Sequence, residues 1–155
     1  MLRFKVLVSV VPLIAAAILA RVEFVPSDRP CIAIGSGNVQ LASAPWHADL
    51  HVSFTDDPKL ATVRVAVSEN AATADFAVID GTDGAEENAC EATAATQFVA
   101  ISSRPNGSSP VIFLSHDEGP ADYRIFVQSK RFTERDAAAL IVGAHGDHRH
   151  LAFLN

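Results

Sequence analysis

The chain has 155 residues, 49% of them apolar, with 12 Lys and Arg against 18 Asp and Glu for a net charge of −6. The imbalance grows past the N-terminus: from Val22 onward nine basic residues face eighteen acidic ones, a net of −9. A domain this acidic repels phosphate backbones and anionic headgroups, which excludes nucleic-acid binding as a function class.

Arg3 and Lys5 stand before an apolar run, Val6 to Ala20, and the next charges are Arg21 and Glu23. A short basic segment followed by an apolar stretch marks export, or a single membrane anchor. Residues 1–25 are therefore read as a signal anchor or signal peptide forming an N-terminal membrane helix. As an anchor, Leu2 to Val22 makes about 31 Å of helix at roughly 1.5 Å per residue, enough to cross a bilayer core. As a cleaved signal, Ala15-Ala16-Ala17 supplies small residues, but cleavage there leaves the apolar start Ile18-Leu19-Ala20. The anchor is the preferred reading. The basic residues in front place the following domain outside the cytoplasm. The expected location is the inner membrane, single-pass, or the periplasm or medium if the signal is cleaved. Residues 26–30 continue as a Pro-punctuated tether, and 31–155 are expected to form one extracytoplasmic domain.

The domain carries two cysteines, Cys31 and Cys90. In an exported domain an even pair implies a disulfide, here closing a long loop. A redox role lacks the C-x-x-C spacing that lowers a thiol pKa.

Strand-type patterns then follow one another. Cys31–Ile34 and Val39–Ala42 flank Gly35-Ser36-Gly37-Asn38, which reads as a hairpin. Leu50–Thr55, Thr62–Ser68, Phe76–Asp80, Gln97–Ser102, Val111–Ser115 and Tyr123–Gln128 alternate or run apolar. Turn signals separate them at Asp56-Asp57-Pro58, Arg104-Pro105-Asn106-Gly107 and Asp117-Glu118-Gly119-Pro120. One helix closes the series: Thr133 with Asp136 makes a capping-box variant, Ala137 to Val142 runs apolar, and Gly143 is the expected stop. A shorter helix is expected over Glu86–Thr96. The fold class is α+β, a mainly antiparallel domain of about six to eight strands with a C-terminal helix packed on one sheet face.

Shifting the chain by 47 residues lays Leu50–Asp80 over Gln97–Val127. The identities are Val52/Val99, Pro58/Pro105, Ser68/Ser115, Ala74/Ala121 and Asp75/Asp122. The spacing is compatible with two three-stranded units, and so few identities leave duplication and coincidence both open.

Chemistry is sparsely signalled, and the sequence contains no residue set that marks a catalytic or cofactor site. His145, Asp147, His148 and His150 near the C-terminus are weak metal candidates, imidazole and carboxylate being ligands for zinc, copper or nickel. The bland alternative, favoured here, is a solvated turn after the helix. His47 and His51 flank Asp49 but lack a third ligand. Ser115-His116-Asp117 holds the residue types of a triad, yet neighbours in a strand point to opposite faces. The acids Asp80, Asp83, Glu86, Glu87 and Glu91 read as a solvated loop. Trp46, after Pro45 and beside His47, suits a core edge or a contact surface, and packing in the core or at its edge is the preferred reading. The reading that results is a membrane-anchored or exported envelope protein, a non-catalytic accessory module with a protein partner in the envelope. The alternatives are a periplasmic metal-binding or metal-sensing protein using the C-terminal histidines, and a small hydrolase with scattered catalytic residues.

Overall fold

The computed structural model describes residues 30–34, 37–80 and 90–151, the last six as helix backbone only. The predicted N-terminal helix and nearly all of the tether, and most of the acidic stretch after Asp80, lie outside these residues. Among the described residues no helix is long and apolar enough to cross a membrane.

Strands form where the alternation places them: β1 Cys31–Ile34, β2 Gly37–Leu41, β3 Leu50–Thr55, β4 Val63–Val67, β5 Phe76–Ile79, β6 Thr96–Ser102, β7 Val111–Ser115 and β8 Tyr123–Gln128. Helix α1 spans Glu134–Leu151. The expected short helix over Glu86–Thr96 is absent from its described part, where Cys90 to Ala95 form turns and irregular chain leading into β6.

Strand pairing departs from the expectation of a mainly antiparallel sheet. The order is β1-β2-β6-β3-β7-β4-β8-β5. Only β1 and β2 run antiparallel, and the other six pairings are parallel. Strands β2 to β5 form one arm, and β6 to β8 intercalate between them as a second. Parallel neighbours usually need a crossover of about a dozen residues or more to return the chain to its starting level. Here stagger removes that need. Leu41 at the end of β2 and Leu50 at the start of β3 both lie opposite Val99 of β6. Likewise Phe54 and Val63 both lie opposite Ile112 of β7. Each strand therefore begins at the level where its predecessor ended, and the connection has only to arch over one strand of the other arm. Such short, turn-rich connections look like hairpin loops in the sequence, which is why the antiparallel reading failed.

One sheet face is filled by α1. Val39, Val52, Val65, Val99, Ile112 and Ile125 are buried there with Ala137 to Val142 of the helix. These strand positions recur every 13 residues: Val39, Val52, Val65 and Val78 in the first arm, Val99, Ile112 and Ile125 in the second. The 47-residue offset does superpose equivalent positions, Val52 on Val99 and Val65 on Ile112, but the shorter period is the structural unit. The opposite face is covered by the arches. Ser53, Ala66 and Ala100 point outward yet are buried, because arches 103–110, 116–122 and 42–49 cross over them. Small residues at these crossings let the chain lie close. A parallel sheet buried on both faces is the usual physical outcome, reached here without flanking crossover helices.

The sheet is rolled around the helix. Six consecutive helical residues, Ala137 to Val142, are fully buried, so no direction around the axis is left open. Gly143 faces Val99 of β6, whereas His145, about 200° further round the helix, meets Phe76 of β5 and Tyr123 of β8 at 5.0 and 5.6 Å between ring centroids. Strands that lie four and five places apart in the sheet thus touch opposite sides of one helix turn. The helix starts as expected: the Asp136 N–H donates to Thr133 Oγ1 (3.1 Å) and the Thr133 N–H to Asp136 Oδ2 (3.0 Å). It does not stop at Gly143 but continues to Leu151. A Cβ at Gly143 would sit 2.5 Å from Val99 Cγ2. This glycine is required by close helix–strand approach, and the sequence reading took it for a C-cap.

Candidate functional site

Cys31 and Cys90 form the expected disulfide, with Cα atoms 5.9 Å apart. It fastens β1 to the chain that leads into the second arm. Beside it, Gln40 Nε2 donates to the Cys90 carbonyl (2.5 Å) and Asn38 Nδ2 to the Glu91 carbonyl (2.9 Å). The linking chain is thus held by buried amides of β2.

At the carboxyl ends of β4, β7 and β8, where open parallel sheets place their ligand crevices, lies a cleft of ≈ 960 Å³. Val67 and Phe126 form its apolar wall, and Ser68, Glu69, His116 and Glu134 its polar rim. His116 Nε2 stands 3.0 Å from Glu134 Oε2, in the first turn of α1. The Arg124 guanidinium reaches the Gly119 carbonyl, 3.2 Å away. With Glu69, Asp117, Glu118 and Glu134 on its rim, the cleft favours cations over anions. The His–Glu pair is open to water, and the Ser68 hydroxyl that lines the same cleft is bonded to Thr73 Oγ1 (2.7 Å) and the Asn70 carbonyl (2.9 Å). The cleft therefore presents an exposed His–Glu pair and a serine whose hydroxyl is already engaged.

The histidines singled out in the sequence are dispersed. His116 pairs with Glu134 rather than with its neighbours Ser115 and Asp117. His47 sits edge-on to Trp46 at 6.1 Å. Between His47 and His51, Asp49 is occupied: its Oδ2 accepts the Phe98 N–H at 2.8 Å. His145 contacts Phe76 and Tyr123, and its Nδ1 lies 2.9 Å from the Ile141 carbonyl. The backbone at Asp147, His148 and His150 is helical, where a turn had been expected, and their side chains lie outside the described residues. Among the described residues no group of three or more His, Cys, Asp or Glu is placed to hold a metal ion. Asp80 binds the Ser129 hydroxyl and the Lys130 N–H, which with the nearby Arg131 and Lys130 charges hold its carboxyl below the usual range. Trp46 is not packed at a core edge but is 81% exposed, on a short 3₁₀ turn at Pro45–His47.

The sequence reading missed a recurring clamp at the strand starts. The Asp75 N–H donates to the Arg124 carbonyl while Asp75 Oδ2 accepts the Arg124 N–H (2.7 Å). Asp49 does the same with Phe98, and Thr62 with Val111 through its hydroxyl. Asp122 likewise grips Arg64 at 2.8 Å. Asp49, Thr62 and Asp75 recur at the same 13-residue interval, a signal that was available in the sequence. No family model, curated protein or solved structure matches the chain.

Proposed function

We propose that the chain is an envelope protein, exported and held by residues 1–25 at the outer face of the inner membrane, whose domain serves as a non-catalytic interaction module. The Cys31–Cys90 disulfide supports export, since such bonds persist in oxidising compartments and not in a reducing cytosol. The observation that carries the interaction reading is the open edge of β5. Among the described residues this strand pairs with β8 alone, and Ala77 and Ile79 are exposed along it. An unpaired strand edge is a template for adding an extended segment of a partner. The His116–Glu134 cleft lends less to a catalytic reading, because the Ser68 hydroxyl that lines it is already bonded to Asn70 and Thr73.

The test is site-specific crosslinking of the full chain in its native envelope. Photoreactive residues at Ala77 and Ile79 should trap one discrete protein adduct, and the same group at Leu60, exposed on the arch 56–62, should not. Adduct formation independent of position, or none at β5, would reject the edge as the contact element.

A further inference from the structure

Trp46 is the only tryptophan in the chain, and it stands 81% exposed on a turn held by two backbone hydrogen bonds, His47 N–H to the Ala44 carbonyl (3.0 Å) and Ala48 N–H to the Pro45 carbonyl (3.3 Å). A large apolar ring presented on a fixed turn costs solubility without adding to the core. Its position suggests what covers it. The Leu41 N–H donates to the Pro30 carbonyl at 3.0 Å, so the N-terminal segment joins the domain beside the end of β2. The arch carrying Trp46 leaves from that same end and crosses β6 at the level of Val99. β1, β2 and β6 are consecutive strands, so Pro30 and the arch lie about two strand spacings apart, roughly 10 Å. Seven residues, 23–29, separate Val22 from Pro30, and the eight Cα-to-Cα steps reach at most about 28 Å when extended. The arch that carries the exposed ring is therefore nearer to the point where the tether joins the domain than the tether is long.

We infer that Trp46 is an interfacial anchor, seated in the headgroup region of the bilayer that residues 2–22 enter, and fixing the orientation of the domain on the membrane. This inference rests on the anchored reading proposed above. Tryptophan suits the role: its ring buries favourably at the membrane–water boundary while its N–H stays hydrated. The acidic domain gains nothing from anionic lipid, so the contact is expected on neutral bilayers. Anchor and ring together give two attachment points, which hold a domain at a fixed tilt where a single tether leaves it free to swing.

The single tryptophan makes the test direct. The full chain is reconstituted into neutral phosphatidylcholine vesicles, floated on a density gradient, and its fluorescence read against aqueous iodide and against lipids brominated near the headgroup. The expected result is flotation, a blue-shifted emission, quenching by brominated lipid and loss of quenching by iodide. Flotation with Trp46 still open to iodide overturns the interfacial role and leaves the anchored reading standing. A blue shift without quenching by brominated lipid means that protein, a second copy included, covers the ring, and also overturns it. A chain that does not float overturns the anchored reading and the inference together.

Discussion

Replacing Gly143 with alanine tests the placement of α1 inside the rolled sheet. At a solvent-facing helical position this change stabilises, since glycine is about 1 kcal/mol worse than alanine in a helix interior. At Gly143 the new methyl would lie 2.5 Å from Val99 Cγ2, with Val99 Cβ and Cγ1 both at 3.6 Å. Carbon pairs prefer about 3.5–4.0 Å, so helix and strand must part by about an ångström, or the valine must turn. Turning it brings another atom of the same side chain toward the methyl. Val99 is fully buried between its strand and α1, and the helix is enclosed on its other sides, so neither partner yields freely. Overpacking of this kind costs about 1–3 kcal/mol. Set against the gain in propensity, Gly143→Ala should destabilise by about 1 kcal/mol or somewhat more. The sharper test is the sign in a second background. With Val99→Ala the obstructing methyls are gone, and Gly143→Ala should then stabilise by up to about 1 kcal/mol. Urea unfolding of the four proteins of this cycle measures both effects. A stabilising Gly143→Ala in the wild-type background would show that the helix does not approach β6 here, and the rolled architecture would fall with it.

Three further outcomes are expected. Cys31→Ser with Cys90→Ser should lower stability by about 4 kcal/mol, the loop-closure entropy of a cross-link spanning 59 residues, and reductant should reproduce the loss in the parent but not in the double variant. Asp75→Ala should cost about 1 kcal/mol, because it removes a charged acceptor from the Arg124 N–H at an exposed site, while Asp75→Asn, which keeps an acceptor, should cost less by thermal melting. Asp80 has its folded carboxyl below the ordinary value, so its stabilising contribution is complete above that ordinary value and is lost as pH falls through the folded one. Asp80→Asn should therefore flatten the acid limb of the stability–pH curve, and an unchanged limb would refute the role given to Ser129 and Lys130.

The strands were legible because their signal is local. Val63, Arg64 and Val65 alternate buried and exposed as the period of two demands, and β3, β7 and β8 begin and end at the residues the sequence pattern marks. Thr133 and Asp136 likewise announce the helix start through chemistry confined to one turn. The misreadings arose where the deciding partner is far along the chain. Gly143 is a glycine because of Val99, 44 positions earlier, and nothing within its own helix distinguishes close packing from a C-cap. His116 finds Glu134 across the cleft, so the local triple Ser115-His116-Asp117 carried no information about its partner. For Trp46 the choice between core edge and contact surface rested on residue type and its immediate neighbours, a weak guide for a ring on a tight turn.

Strand direction is the instructive case. Alternation fixes which residues face the core and leaves parallel and antiparallel pairing undecided, and short, turn-rich connections favour hairpins by the criterion of connection length. That criterion assumes that neighbouring strands start at the same level. In this fold they do not. Each inner strand, β3, β4, β6, β7 and β8, pairs through its first part with one strand of the other arm and through its second part with the next, as β6 does with β2 and then β3. The chain climbs continuously, and a short arch suffices between parallel strands. The 13-residue recurrence of Val39, Val52 and Val65, with Asp49, Thr62 and Asp75 at the strand starts, is the imprint of that climb. An antiparallel meander would instead reverse direction at each turn, leaving no reason for the same clamp to recur at the starts of β3, β4, β5 and β8. A constant short period that repeats both the inward apolar position and a pre-strand acceptor therefore identifies staggered parallel strands. The weave also makes the arms interdependent. β7 lies beneath an arch of the first arm while its own arm arches over β3, so neither arm can complete its ladders, or cover α1, without the other.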